Sequence, residues 1–122
     1  MKVVIGLGLA SAATPEDVNA ALATTIEAAR CTWPEVVEVA TLDSKRDHPA
    51  LARLTVPVRF LSASALAGVR VPHRSAAVQR ATGTASVAEA AALLASGARG
   101  LLVPKRCTPS VCTAVASLAD PA

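Results

Sequence analysis

The run from Val3 to Leu9, VVIGLGL, limits what this chain can become more than any other feature. It is seven residues long, apolar throughout, and rich in β-branched side chains at its start. Such a run fits a strand buried on both faces, and a strand of that kind needs a layer of helix above and below it. The next segment supplies a helix start. Thr14 can accept from the first free amides, Pro15 suits the first helical position, and Asp17 completes a capping box. Val18, Leu22, Ile26 and Ala29 then fall on one face at helical spacing. The helix is expected to stop near Arg30 or Cys31, because Trp33-Pro34 cannot continue it.

The alternation goes on. Val36 to Leu42 reads as a second strand, followed by the polar break Asp43-Ser44-Lys45-Arg46-Asp47. Pro49 to Leu54 reads as a short helix capped by Asp47. Val56 to Leu61 reads as a third strand, with Pro57 at its start where a missing donor is tolerated. Ser62 to Ala67 reads as a helical turn ended by Gly68. Pro72-His73-Arg74-Ser75 reads as a loop and Ser75 to Ala81 as a short helix stopped by Gly83. Strand and helix taking turns over the first 61 residues implies βαβ units and a parallel sheet.

The C-terminal third has a different pattern. Ser86-Val87-Ala88-Glu89 looks like a second capping box, opening a helix with Val87, Ala91 and Leu94 on a wide apolar face and Gly97 as its C-cap. Leu101 to Val103 and Val111 to Leu118 read as two strands around a polar, basic loop that holds Lys105 and Arg106. The link is too brief for a crossover, so this pair should be antiparallel. The expected fold class is therefore α/β: a three-layer αβα domain over residues 1–122, with a mixed, mostly parallel sheet and an antiparallel C-terminal strand pair.

Composition removes several classes of function. Aromatic residues make up only 2% of the chain, with one Trp, one Phe and no Tyr. A base-stacking surface needs several, so no nucleic acid is expected as partner. No segment offers the ~20 apolar residues that span a bilayer. The start, MKVVIGLGLASAA, mimics a signal peptide, but its two glycines and the helix start that follows fit a first strand better. Three cysteines, Cys31, Cys107 and Cys112, do not suggest a disulfide framework, and a reducing, cytoplasmic setting is expected. The net charge of +3 belongs to the second half: residues 69–122 hold six Lys or Arg against Glu89 and Asp120 alone. An anionic partner is one reading of that asymmetry, and a solvated surface is the other.

Four groups of residues carry candidate chemistry. Gly6-Leu7-Gly8 follows the first strand, but the third glycine of a dinucleotide fingerprint is missing. The pair allows close approach, of an anionic ligand or of the helix. Asp43 to His48 follows the second strand, where ligands of open α/β sheets sit. Lys45 could hold a carboxylate and Asp43 could fix it or act as a base; a plain solvated turn is the alternative. Lys105-Arg106, with Ser110 beside them, could grip a carboxylate, or could be a charged hairpin tip. Cys107 and Cys112, with Cys31, His48 and His73, lack zinc-ligand spacing, so no metal is expected, and no cofactor either.

Three blocks together resemble the CobE/CbiG C-terminal domain family of cobalamin biosynthesis. They are VVIGLGLASAATPEDVNAAL from Val3, VATLDSKRDHPALARL from Val39, and GTASVAEAAALLASGARGLLVPKRCTPSVCTAVA from Gly83. They run in order over nearly the whole chain. The third block is the most specific, and Thr41, Asp43 and Lys45 come next. Two departures stand out. Leu9 to Ala13 lacks the Cys and basic residues common after the family's first Gly-x-Gly, and Asp47-His48 stands where an Asp-Glu pair is frequent.

The resemblance implies a compact α/β domain acting in corrin-ring assembly. In the family the domain occurs alone, or as the C-terminal part of CbiG, the cobalt-precorrin-5A hydrolase that opens a ring lactone. The implied partner is a precorrin or cobalt-precorrin intermediate, bound as by a carrier or accessory factor, and other cobalamin-pathway enzymes are further candidates. The expected ligand site comprises Gly6, Gly8, Asp43, Lys45, Thr84, Lys105, Arg106 and Ser110. If the domain instead opens the lactone, Asp43 or His48 would be the base and Lys105 would stabilise charge.

Overall fold

The computed structural model describes residues 1–69 and 84–118, with the backbone alone at residues 84–86. Five strands form one sheet: β1 (Val3–Leu9), β2 (Val36–Leu42), β3 (Val58–Leu61), β4 (Val103–Cys107) and β5 (Val111–Ser117), in the order β3-β2-β1-β5-β4. β1, β2 and β3 are parallel. β5 is antiparallel to both β1 and β4. The helices are α1 (Pro15–Ala29), α2 (Ala63–Ala67) and α3 (Thr84–Ser96). The sheet is mixed and the architecture is three-layered.

β1 is central because every one of its residues is buried. Its side chains alternate between two cores. Val3, Ile5, Leu7 and Leu9 meet α1 through Val18, Ala21, Leu22 and Ile26. Val4 lies on the other face, with Ala90, Ala91 and Leu93 of α3. Burial of Leu22 or Ile26 contributes roughly 1.5–3 kcal/mol each. The α1 start has the predicted chemistry: Asp17 N–H donates to Thr14 Oγ1, and Thr14 N–H donates to Asp17 Oδ2, both at 3.1 Å. Such a cap is worth about 1 kcal/mol. At the other end Arg30 is left-handed, and its N–H and that of Cys31 close the last turn on Glu27 and Ile26.

The second face has an unusual texture. α3 lies close on the sheet because its contact side is alanine: Ala88 and Ala92 pack on Cys112, Ala114 and Ala116. Gly6 permits that approach, since a Cβ there would strike the Ala88 carbonyl oxygen. Of the two kinds of approach the glycine pair allowed, Gly6 serves the helix. Gly97 ends α3 with φ 73°, its N–H donating to Leu93 O. Buried polar groups are satisfied internally. Thr41 Oγ1 donates to Leu7 O at 2.7 Å, and the hydroxyls of Thr25 and Thr113 share a 2.6 Å hydrogen bond.

Several expectations need correction. Lys105 and Arg106 are not in a loop but within β4, and the turn is confined to residues 108–110. The residue capping the turn at Pro49–Leu51 is His48, not Asp47, and that turn is 3-10 and three residues long. Ser86 does not open α3, which begins at Thr84 and leaves Glu89 inside it. Leu94 points outward, 39% exposed, and Leu93 takes the buried position. Cys107 and Cys112 form a disulfide, although a count of three cysteines does not suggest a disulfide framework. The pair is opposite in the β4–β5 register, with a Cα–Cα distance of 4.1 Å. That is the spacing of a non-hydrogen-bonded antiparallel pair, where side chains meet most closely. The readings for Pro72–Ser75 and Ser75–Ala81 lie outside the described residues.

Candidate functional site

A cleft of about 370 Å³ opens at the carboxyl ends of β1 and β2. Its wall contains Gly8 and Leu9 of β1, Ala10 and Ser11 beyond it, Thr41 and Leu42 of β2, Ser44 and Lys45 of the next turn, and Val87 of α3. This is where open parallel sheets place their ligands, because strand ends diverge into loops on either side. Val87 stands in the first turn of α3, so the start of that helix faces the cleft. Helix starts present unpaired N–H groups and a partial positive charge. Lys45, half-buried, adds a full charge at the same mouth. Gly8 leaves the floor without a side chain. The arrangement suits an anionic group on an otherwise apolar body.

Of the sequence candidates, Gly8 and Lys45 line this cleft. Asp43 is exposed in the same 3-10 turn as Lys45, outside the lining. Thr84 begins α3. Ser110 is turned to structural use. Its hydroxyl donates to Asp17 Oδ2 at 3.0 Å, and its carbonyl accepts from Ala10 N–H. The hairpin is thereby tied to the start of α1. The Thr14 N–H, then Ser110, hold the Asp17 carboxyl below its ordinary value.

His48 is also occupied. Its Nδ1 accepts from Ala50 N–H, so Nε2 carries the proton and donates to Ala10 O at 3.0 Å. The ring is a crosslink between the turn after β2 and the loop after β1. Lys105 and Arg106 lie at the same end of the sheet as the cleft, because β4 runs parallel to β1. They are on the edge strand, three strands from β2, which is about 14 Å at ordinary strand spacing. The structure thus sets cations on both sides of one rim without joining them in one pocket.

Sequence reasoning did not single out Ser11 or Val87, which line the cleft. The signal was present in the rule for strand ends, which would have drawn in the residues around Gly8 and Lys45. It also missed Glu89, which is 1% exposed and accepts from the backbone N–H of Lys105 at 3.2 Å. Cys31 is half-buried, and burial, then the Glu35 carboxylate, push its thiol up. Among the described residues no three His, Cys, Asp or Glu side chains gather as a metal site would need, and no helix is long and apolar enough to cross a membrane.

Fold and cleft together define a class: a three-layer α/β domain with an open site at the carboxyl ends of its parallel strands. The chain belongs to the family described as cobalamin synthesis G C-terminus, whose model matches residues 3–118, and is a cobalamin biosynthesis protein of the CobE/CbiG kind. It is similar to the crystal structure of CobE, from the cobalamin (vitamin B12) biosynthetic pathway, at 32% identity and a TM-score of 0.79, over 93% of this chain and 88% of that one. It is similar to cobalamin biosynthesis protein chiG from Agrobacterium tumefaciens at 26% identity and a TM-score of 0.67, over 97% and 99%. A putative cobalamin biosynthesis protein G homolog from Sulfolobus solfataricus shares the fold at 19% identity, with a TM-score of 0.75. The match spans 98% of this chain and 37% of the Sulfolobus chain. No curated protein sequence matches.

Proposed function

We propose that this domain binds a precorrin or cobalt-precorrin intermediate at the cleft, as a carrier or accessory factor for a cobalamin-pathway enzyme in the cytoplasm. The observation that carries the reading is the juxtaposition of Lys45, the bare Gly8 floor and the start of α3 at one mouth. Corrin precursors bear acetate and propionate groups around an apolar ring. One carboxylate fits the mouth, and the ring edge fits against Leu42 and Val87. The remaining carboxylates extend along the rim toward Lys105 and Arg106.

Binding is favoured over lactone opening because neither candidate base is poised. His48 spends both ring nitrogens on backbone groups. Asp43 is exposed and outside the cleft lining. Titration with a precorrin intermediate, followed by its visible absorption, tests the reading. A saturable spectral change is expected. Lys45→Ala should weaken binding by about 10-fold or more, as loss of a charge-assisted hydrogen bond does. No spectral or mobility change at high concentration would remove the basis for a carrier. Release of acetaldehyde from the lactone intermediate above the protein-free control would favour the hydrolase.

A further inference from the structure

The Cys107–Cys112 disulfide lies beside the cleft. Cys112 is the cross-strand partner of Gly8 in the β1–β5 register, and Gly8 is part of the cleft wall. Both face α3, as Gly6 does. Leu42, Gly8, Cys112 and Cys107 thus follow one another across the α3 side of the sheet at its carboxyl rim. The two residues have different surroundings: Cys107 is exposed, whereas Cys112 is 6% exposed against Ala88 and Ala92. Exposed disulfides are the ones open to exchange.

Among the described residues, the strand that the bond holds, β4, lies at the edge of the sheet with β5 as its neighbour, and Val103 anchors its start in the core. Its register slips between Val103 and Arg106, where Pro104 has no N–H and the Lys105 N–H goes to Glu89. By contrast β1, β2 and α1 are built without either cysteine. The bridge spans a sequence separation of only five, and so short a loop gives less entropic support than a long-range bridge would. The core between β1, β2 and α1 is therefore expected to persist when the bond opens.

We propose that Cys107–Cys112 is a reversible thiol–disulfide exchange site, reduced by a dithiol, and that its opening loosens β4 and the adjoining wall of the cleft. One thiolate of the dithiol bonds to Cys107 Sγ and the Cys107–Cys112 bond breaks. Cys112 leaves as thiolate and takes a proton. The second thiolate of the dithiol then closes its own disulfide and releases Cys107, which is protonated in turn. The protein gains two hydrogens and the dithiol loses two. Only the functional meaning of the loosened wall rests on the proposed ligand site.

The test uses the full chain with Cys31→Ser, so that two cysteines remain. Dithiothreitol is titrated in, with alkylation and intact mass as one readout and amide hydrogen exchange as the other. The oxidised form should take up no alkylating reagent and the reduced form two equivalents. On reduction, exchange should speed by about 10-fold or more at residues 103–107 and at Gly8 to Ser11, with residues 39–41 unchanged. The Cys107→Ser/Cys112→Ser variant should match the reduced form with or without dithiothreitol. Two alkylated thiols after treatment with an oxidant would overturn the proposal. So would unchanged exchange on reduction, or acceleration spread evenly over the whole sheet. Neither readout contains a tetrapyrrole, so a failed precorrin titration leaves both intact.

Discussion

A methyl group on Gly6 would meet the carbonyl oxygen of Ala88 and, at 2.7 Å, the amide nitrogen of Ala92. Both are backbone atoms of α3 and cannot swing aside as a side chain would. Gly6→Ala is therefore expected to push the helix outward and destabilise the domain by about 3 kcal/mol, the upper part of the range for overpacked cores. Urea denaturation measures it, and a loss below ~1 kcal/mol would mean that α3 sits less tightly than the structure has it. Asp17 makes a second argument at this scale. Its folded pKa is depressed, so the stability it contributes is present above its unfolded value and is lost as pH falls through the folded one. The urea midpoint should drop as pH falls below about 4, the ordinary carboxylate range. Asp17→Asn should show a shallower drop; equal slopes for the two proteins would count against the Thr14–Asp17–Ser110 cluster.

At the scale of elements, what was legible in the sequence was local. β1, α1 and β2 are fixed by patterns written within each segment: an unbroken apolar run, a capping box, a stripe at helical spacing. β4 was not legible, because Pro104-Lys105-Arg106 has the composition of a loop. It is a strand only because β5 offers it a ladder and Glu89 takes the N–H that the bulge displaces. Glu89 misled for the same reason. Its spacing from Ser86 imitates a capping box, while an N–H it accepts belongs to Lys105, 16 residues away. The disulfide follows from register and not from spacing, so a count of three cysteines could not reveal it. Glu89→Ala should cost about 1–3 kcal/mol, because a buried acceptor is removed from the Lys105 N–H. Glu89→Gln keeps an acceptor oxygen and should cost less. If both variants unfold at the same denaturant concentration, the bond to Lys105 N–H does not secure β4.

For the whole molecule the question is how one ligand could use both flanks of the rim. The carboxyl-end rule made Lys45 legible, and the cleft holds it beside Gly8. Lys105 and Arg106 were placed by sequence in a loop, and the structure puts them across the sheet, about 14 Å from β2 by strand spacing. That exceeds the ~8 Å Debye length at physiological ionic strength, so the two flanks do not feel each other through solvent. A polycarboxylate macrocycle long enough to touch both would meet them as two independent contacts. In that case Lys45→Ala and Lys105→Ala each weaken binding of the precorrin intermediate, and the double variant loses the product of the two factors to within about 2-fold, as distant independent contacts do. Each single loss should shrink as salt is raised. If Lys105→Ala binds as tightly as the parent, the edge strand takes no part, and the ligand is gripped by the Lys45 mouth alone. A double variant no weaker than Lys45→Ala gives the same answer by a second route: the basic half of the chain then serves a partner protein or solubility, and the recognised anion is a single carboxylate at the start of α3.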